Sequence, residues 1–403
     1  MVSFTEIEDA RENLRGVIHH TLLESSATLS ELTGGSVYLK LENFQRTGSF
    51  KFRGAYNRIC QLTPEERARG VIAASAGNHA QGVALGAQLA GVEATIVVPL
   101  GAPSSKVEAI RTYGVNLILY GADYNEAETR ALELQKEYGL TFIHAFDDPA
   151  VIAGQGTLGL EILEDLPDLD VVIAGIGGGG LISGVATAIK TVRPNARIIG
   201  VEPIGAAKVT KSLKAGKIMT LDKVSTIADG LATRRAGELT FPTIEKLVDD
   251  VVTVDDDEIS EAVLFLMERS KTVVEGAGAA SLAALLSKKV SIIGERAVVI
   301  LSGGNIDVRL LGNIIDRGLL RTGRTLIFTT KLPDKPGSLS GLADILAEMG
   351  VNIEDIDHDR LGLNVHISES EVRIKVDTRG FDHVHEVLDR LTQGGYNILA
   401  HWP

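Results

Sequence analysis

Short apolar runs alternate with amphipathic helical patterns between residues 71 and 305, and this alternation limits the possible folds of the chain most strongly. Strands that are apolar along their whole length are buried on both faces, which is typical of parallel sheets covered by helices. Residues 104–113 and 124–138 have the helical period. The pattern predicts an α/β fold. The predicted strands are residues 71–74, 94–98, 116–119, 171–174, 197–201 and 297–301.

The pattern changes after Arg324. A strand is predicted at 325–330, a turn at 333–337, a helix at 339–349, strands at 352–357 and 372–377, a helix at 384–391 and a last strand at 397–400. This βαββαβ order is ferredoxin-like. The polar residues 321–324 predict a linker, so we expect one domain at 1–320 and a second at 325–403.

Composition excludes several classes of protein. The chain has 403 residues and a net charge of −13, and no basic block offers a nucleic-acid surface. Cys60 is the single cysteine, which excludes a disulfide framework and indicates a reducing compartment. The first nine residues are acidic and do not resemble a signal peptide. No apolar stretch approaches the ~20 residues that span a bilayer. We therefore expect a cytoplasmic protein with no membrane partner.

Lys51 lies in the segment Gly-Ser-Phe-Lys-Phe-Arg-Gly-Ala at 48–55, between two aromatic residues. Partial desolvation there lowers the pKa of the lysine and favours its neutral amine. A neutral amine can form a Schiff base with an aldehyde. This makes Lys51 a candidate catalytic residue, although one such lysine is weak support.

Four glycines, Gly177, Gly178, Gly179 and Gly180, follow the predicted strand 171–174 and precede a helical run that begins at Leu181. Successive backbone N–H groups in such a turn can face one anion, and the helix N-terminus adds positive potential. The spacing does not match a dinucleotide-binding fingerprint. The alternative is a flexible loop, but the position after a buried strand favours a phosphate site.

Two further polar segments follow predicted strands. In Ser-Ala-Gly-Asn-His-Ala-Gln-Gly at 75–82, Ser75 can contact a reacting substrate and Asn78 can bind a ring hydroxyl. His79 is a candidate base, but a structural hydrogen bond is the more common role. In Ser-Gly-Gly-Asn at 302–305, Ser302 can face a pyridine nitrogen without forcing its protonation, or can simply be a turn serine. A lysine, a phosphate cradle and a ring-nitrogen partner are the three contacts that pyridoxal phosphate needs.

These four segments together resemble the fold-type II pyridoxal phosphate enzymes, and among them the threonine dehydratases, with serine racemases and serine dehydratases second. The resemblance covers about residues 3–320. It implies a tryptophan synthase β-like fold of two open α/β subdomains, the smaller at roughly 42–150. It also implies that Lys51 is the Schiff-base lysine, that Asn78 contacts the cofactor 3′-oxygen, and that Gly177 through Leu181 hold the phosphate. Ser302 would face the ring nitrogen, and Ser75 would act as acid or base opposite Lys51.

Three other positions refine the resemblance. The phenylalanine at position 146 resembles the residue of the threonine dehydratases, whereas serine racemases usually have Asn at this position. Glu202 and the carbonyl of Ala206 match the family's cation site, but Lys208 stands where the racemases have an Asp ligand. A lysine cannot coordinate a cation, so we expect no divalent metal, while a monovalent cation near Glu202 stays open. Glu275 is expected near the cofactor ring, or else as a solvated carboxylate at a helix start.

The tail at 325–403 resembles an ACT domain, a small amino-acid sensor, with a purely structural dimerisation module as the alternative. The resemblance of residues 3–320 to the threonine dehydratases implies deamination of L-threonine to 2-oxobutanoate and ammonia. It also implies conversion of L-serine to pyruvate as a side activity. Isoleucine and valine are the expected effectors, and a homodimer or homotetramer is expected. The alternatives are a serine or 3-hydroxyaspartate racemase-dehydratase and a non-catalytic amino-acid-binding regulator.

Overall fold

The computed structural model describes residues 1–362 and 365–402, and these residues form two compact units, the first at Met1–Asp307 and the second from Val308 onward. Two sheets belong to the first unit and one to the second. The strands of the first unit are β1 (Leu23–Ser25), β2 (Ser36–Leu41), β3 (Val71–Ala74), β4 (Ala94–Val98), β5 (Asn116–Leu119), β6 (Thr141–Phe142), β7 (Val171–Gly175), β8 (Arg197–Pro203), β9 (Asp250–Val254) and β10 (Arg296–Leu301).

Helices connect these strands. The helices of the first unit are α1 (Phe4–Leu14), α2 (Ala27–Thr33), α3 (Lys51–Cys60), α4 (Pro64–Arg69), α5 (Asn78–Ala90), α6 (Ser104–Arg111), α7 (Tyr124–Tyr138), α8 (Pro149–Asp165), α9 (Gly180–Val192), α10 (Lys208–Ala215), α11 (Thr240–Leu247), α12 (Asp256–Phe265) and α13 (Gly276–Leu286). The six strands expected from apolar runs are confirmed as β3, β4, β5, β7, β8 and β10.

The two sheets of the first unit have the open parallel form that the apolar runs predict. The larger sheet has the order β1-β2-β10-β7-β8-β9, in which only the β1–β2 pair is antiparallel. The smaller sheet, β5-β4-β3-β6, is parallel throughout and lies inside the range 42–150 expected for the small subdomain. Every residue of β3 and of β7 is buried. Burial on both faces explains why these strands read as unbroken apolar runs.

The second unit has the expected βαββαβ order, in β11 (Thr325–Pro333), α15 (Ser338–Glu348), β12 (Ile353–Asp359), β13 (Glu369–Asp377), α16 (Phe381–Gln393) and β14 (Ile398–Trp402). Its four strands form an antiparallel sheet in the order β12-β13-β11-β14. The apolar core between sheet and helices includes Phe328, Leu346, Ile374 and Leu391.

The division between the units lies earlier than the boundary expected at residues 320–324. Helix α14 (Val308–Arg321) groups with the second unit, where its Asp316 pairs with Lys375 of β13 at 3.3 Å. The sequence contains an amphipathic helix here, which by pattern alone continues the helices of the first unit. Residues 322–324 still form the short connection to β11. In the described part of the chain, no helix has the length and apolar character that a membrane span requires.

Candidate active site

The carboxyl end of β10 brings the segment before Lys51 next to Ser302. The backbone N–H of Phe50 donates to the Ser302 carbonyl at 3.1 Å, and Ser49 pairs with Gly303 as an antiparallel bridge. The Gly304 N–H donates to the Gly48 carbonyl at 2.9 Å. Two motifs about 250 residues apart in the chain are thus joined by backbone hydrogen bonds, which fixes the start of α3 against the larger sheet.

Lys51 is the first residue of α3, and its amine contacts the segment that follows β6. Lys51 Nζ donates to the Ala145 carbonyl at 2.8 Å and lies 5.1 Å from the centroid of the Phe50 ring. Desolvation lowers the pKa of Lys51 to about 8, and the Glu275 carboxylate partly opposes this shift. The direction and the cause agree with the expectation from the sequence. A substantial fraction of the amine is therefore neutral near pH 8.

A chain of three side chains crosses the cleft beside Lys51. Asn78 Nδ2 donates to Glu275 Oε1 at 2.6 Å, and Asn305 Nδ2 donates to Asn78 Oδ1 at 2.7 Å and to the Thr47 carbonyl at 2.7 Å. Asn78 is thus oriented from both sides, and its amide has one further N–H free to meet a ligand.

Glu275 is buried, not solvated as the sequence allowed. Its side chain is 5% exposed, at the residue before α13. The pKa of Glu275 is raised to about 7, mainly by burial and secondly by the nearby Asp229, and this value includes the opposing effects of the Asn78 hydrogen bond and of the Lys106 and Lys51 charges. A carboxyl group that titrates near neutrality inside a cleft is typical of a functional site.

The four glycines form a tight turn between β7 and α9. A Cβ atom on Gly178 would lie 2.2 Å from the Phe146 ring, and Gly179 has φ +100°, a conformation that favours glycine. The Gly178 carbonyl is turned away from the turn, because it accepts hydrogen bonds from Thr240 Oγ1 at 2.7 Å and from the Gly237 N–H at 3.2 Å. Phe146 and Thr240 pack against one side of the glycine turn, so the backbone N–H groups of the turn lie on its other side.

These N–H groups fit a phosphate. Within residues 1–362 and 365–402, the backbone N–H groups from Gly177 to Leu181 have no hydrogen-bond acceptor, although four of the five residues are buried. Ser49 Oγ, two residues before Lys51, is likewise buried without a partner in the described residues. Unpaired buried donors are costly unless a ligand satisfies them, so the residues present fit an anionic group at the N-terminus of α9 and a polar ligand near Lys51.

The remaining candidate residues lie around the same cleft. Ser302 is 4% exposed, with Oγ 3.5 Å from the Ala277 carbonyl of α13. Ser75 directly follows β3, and its Oγ accepts from the Gly77 N–H at 3.1 Å. His79 is buried and its Nε2 donates to the Ile143 carbonyl at 2.8 Å. Desolvation lowers the pKa of His79 to about 3, so the ring stays neutral, which favours the structural role for this histidine.

The structure adds groups that the sequence did not indicate. The partner of Lys51 is the backbone carbonyl of Ala145, which no residue-type pattern can reveal. Asp147, two residues later, accepts from the N–H groups of Glu238 and Leu239, both at 2.9 Å, and so ties this segment to the start of α11. Asn305 was visible as the last residue of the Ser-Gly-Gly-Asn motif.

In the described residues, no cluster of three or more His, Cys, Asp or Glu side chains could hold a metal ion.

Comparison with known proteins gives matches over both units. The family model for pyridoxal-phosphate dependent enzymes matches residues 14–303, and the model for the ACT domain matches residues 325–393. An L-threonine ammonia-lyase from Thermotoga maritima is 46% identical over 398 residues, which is 99% of each chain.

Two solved structures are similar to the first unit. The processed form of threonine deaminase isoform 2 from Solanum lycopersicum is 43% identical with a TM-score of 0.73, over 77% of this chain and 93% of that one. Maize serine racemase is 41% identical with a TM-score of 0.75, over 79% of this chain and 98% of that one. The similarity to these two structures therefore does not by itself distinguish a deaminase from a racemase.

Proposed function

The chain belongs to the pyridoxal-phosphate dependent enzymes and ends in an ACT domain, and we propose from this membership that it deaminates L-threonine to 2-oxobutanoate and ammonia. The observation that carries the proposal is Lys51, an amine with a pKa of about 8 in a cleft that also presents unpaired N–H groups for a phosphate. The choice of threonine is supported by the ammonia-lyase of Thermotoga maritima, which is similar over both units.

The residues of the cleft have distinct roles in this proposal. The N–H groups from Gly177 to Leu181 bind the cofactor phosphate, Asn78 contacts the ring oxygen and Ser302 contacts the ring nitrogen. Bound pyridoxal phosphate supplies an aldehyde for Lys51 and a ring that stabilises negative charge at the substrate α-carbon. Ser302 carries no charge at neutral pH, so it accepts or donates one hydrogen bond and leaves the ring unprotonated, which suits elimination.

Lys51 moves the proton. Its Nζ takes the α-proton of threonine, because the desolvated amine is available in its neutral form. In this proposal Ser75 assists as acid or base on the face opposite Lys51. The β-hydroxyl group leaves as water, and the released enamine hydrolyses to 2-oxobutanoate and ammonia. L-Serine follows the same route to pyruvate as a side activity.

Product analysis of the purified enzyme with pyridoxal phosphate tests the proposal. L-Threonine, L-serine and D-serine are incubated separately, and 2-oxobutanoate, pyruvate and the chirality of residual serine are measured. We expect 2-oxobutanoate from L-threonine as the main product. Conversion of L-serine to D-serine, with little 2-oxobutanoate from L-threonine, would support the racemase-dehydratase alternative, which the maize serine racemase favours. If no amino acid is turned over, the remaining alternative is a non-catalytic amino-acid-binding regulator.

The ACT domain couples an amino-acid effector to this reaction. Isoleucine is the first candidate inhibitor, as the end product of the pathway that 2-oxobutanoate feeds, and valine is a candidate antagonist. The domain architecture supports this role, since such a sensor suits an enzyme at a branch point. The proposal also includes a homodimer or homotetramer and a cytoplasmic location, for which the single cysteine of the chain is the support.

A further inference from the structure

Lys208 is a fully buried cation that the proposed reaction does not use. It is the first residue of α10, and its side chain has no solvent exposure. Its Nζ donates to the carbonyl oxygens of Ile176, at 2.6 Å, and Leu231, at 3.2 Å, and lies 3.2 Å from Glu202 Oε1. The three oxygen atoms match the three N–H bonds of an ammonium. Burial lowers the pKa of Lys208, and Glu202 opposes this shift.

The three oxygen atoms come from three segments that meet beside the glycine turn. Ile176 is the residue directly before Gly177. Leu231 ends a short 3-10 helix whose Gly230 carbonyl would lie 2.9 Å from a Cβ atom on Gly177. Glu202 belongs to β8, the strand that pairs with β7. The Lys208 ammonium therefore binds Ile176, the residue that leads into the glycine turn, together with the neighbouring segments that contain Leu231 and Glu202.

Glu202 does not need Lys208 for its own hydrogen bonds. Its carboxylate accepts from the N–H groups of Val209 and Thr210, at 2.9 and 2.8 Å, and from Thr210 Oγ1 at 2.8 Å. The Ile176 carbonyl has no other hydrogen-bond donor among the described residues, whereas the Leu231 carbonyl also accepts from the Thr233 N–H at 2.8 Å. Without the ammonium, two carbonyl dipoles and one carboxylate would converge on an empty space in a buried region, which is strongly unfavourable.

A carboxylate and two carbonyls are also the oxygen ligands that a small hard cation prefers. We propose that Lys208 is a positioning residue whose ammonium takes the place of a bound cation, and that it fixes the Ile176 carbonyl so that the following N–H groups face the cofactor phosphate. The inference rests on the role proposed above for the glycine turn. It predicts that an enzyme without this side chain becomes dependent on a soluble cation for cofactor binding.

Replacement of Lys208 by Ala and by Met separates a positioning role from a merely structural one. Lys208→Ala leaves space for a cation, whereas Lys208→Met fills most of that space with an uncharged chain. The affinity for pyridoxal phosphate is measured by equilibrium fluorescence titration in potassium, ammonium or tetramethylammonium chloride at equal ionic strength. Tetramethylammonium is too large to enter the space and carries no N–H.

We expect wild-type affinity to be the same in all three salts and with EDTA. Both variants should bind the cofactor about 10- to 100-fold more weakly in tetramethylammonium, as is typical of groups that orient a ligand-binding shell. Potassium or ammonium should restore most of the affinity of Lys208→Ala and none of that of Lys208→Met. Lys40 is the matched control, because it is also fully buried and pairs with Glu161 at 2.9 Å. The affinity of Lys40→Ala should not depend on the cation.

Wild-type-like affinity of Lys208→Ala in tetramethylammonium would overturn the inference, as would a loss that neither cation reverses. If Lys208→Ala unfolds in tetramethylammonium, potassium or ammonium must raise its melting temperature, and a protein that stays unfolded in every salt also contradicts the proposal. Gly178→Ala separates the two levels of the argument. If this variant binds the cofactor normally, the glycine turn is not the phosphate site and the proposed cofactor contacts fail independently of Lys208.

Discussion

The two units bury different kinds of side chain. The first unit has fully buried charged residues, among them Lys40, Glu42, Arg53, Glu202 and Lys208. In the described residues of the second unit, the buried polar side chains are three threonines, one serine and one histidine. Buried charges stabilise a fold poorly unless they are paired, but they orient neighbouring groups strictly. The contrast teaches that the first unit maintains a site at some cost to its stability, whereas the second unit has the simple apolar core of a small α/β sandwich.

The largest effect that would break this comparison is the loss of Lys51. We expect Lys51→Ala to lower threonine deamination by at least ~10³-fold, because the side chain provides both the amine that reacts with the cofactor and the proton transfer. The melting temperature should change little, since the Lys51 side chain is only partly buried and has one hydrogen bond. Steady-state kinetics and a thermal scan of the purified variant measure both. Substantial turnover would contradict the assignment of this lysine.

The second test concerns the apolar core of the second unit. Leu346 is fully buried in α15, so Leu346→Ala should destabilise this unit by about 2–5 kcal/mol. Without an effector, the kcat for threonine should stay within about twofold, because no catalytic group lies in this unit. Urea unfolding followed by circular dichroism gives the stability, with the exposed Ser340→Ala on the same helix as a control. A large fall in basal kcat would show that the two units are not separable in this way.

Much of this organisation is visible in the sequence, and the exceptions have physical reasons. The strand 71–74 was found because a strand buried on both faces is an unbroken apolar run. The apolar pattern does not predict strand β2, because Lys40 interrupts it and is buried only through its pairing with Glu161 and Asp165. The sequence does not decide between a buried and a solvated Glu275, since a carboxylate at a helix start has the same local pattern in both cases.

The candidate site is also only partly visible in the sequence. Ser75 and Asn78 follow β3 of the smaller sheet and Ser302 follows β10 of the larger sheet, and open parallel sheets bind ligands beyond such strand ends. The Ala145 carbonyl that Lys51 contacts is a backbone group, and no side-chain pattern marks it. The structure groups α14 with the second unit, and because this helix is amphipathic only tertiary contacts show which unit it joins.

Glu275 gives a third, pH-dependent test of the buried charge in the first unit. The pKa of this group is about 7 in the folded cofactor-free chain, above the ordinary 4.5. Its contribution to stability is therefore complete below pH 4.5 and is lost as the pH rises through 7, a change of about 3 kcal/mol. Lys51, with its lowered pKa of about 8, acts in the other direction above that pH, so the measurement is made between pH 4.5 and 7.5.

Glu275→Gln should remove this dependence. The variant should gain stability relative to the parent chain between pH 4.5 and 7.5, measured by urea unfolding of the cofactor-free protein. The exposed Glu238→Gln serves as the control, because that carboxylate is solvated and should give no such difference. Equal pH dependence of the Glu275→Gln variant and the parent would show that the carboxyl group is already ionised at low pH.

The smallest expected effect sharpens the comparison at the junction of the units. Two shortened chains, one ending at Asp307 and one at Leu320, should keep threonine deamination and lose the response to isoleucine. The coupling lost is typically ~1–3 kcal/mol, or about 5- to 150-fold in effector-dependent activity. The two chains differ in α14, which the longer one retains without the strand β13 that its Asp316 contacts. We therefore expect the chain ending at Asp307 to aggregate less.

Isoleucine and valine titrations of activity, together with calorimetric binding, distinguish the outcomes, and full-length protein prepared in parallel is the reference. A short connection such as residues 322–324 transmits a change between α14 and β11 better than a long flexible one. A response that survives in the chain ending at Asp307 would place the effector site in the catalytic unit. Full-length enzyme that ignores isoleucine, valine and other amino acids in both kinetics and binding would make the second unit a structural module, because a sensor must bind its ligand with different affinity in two states.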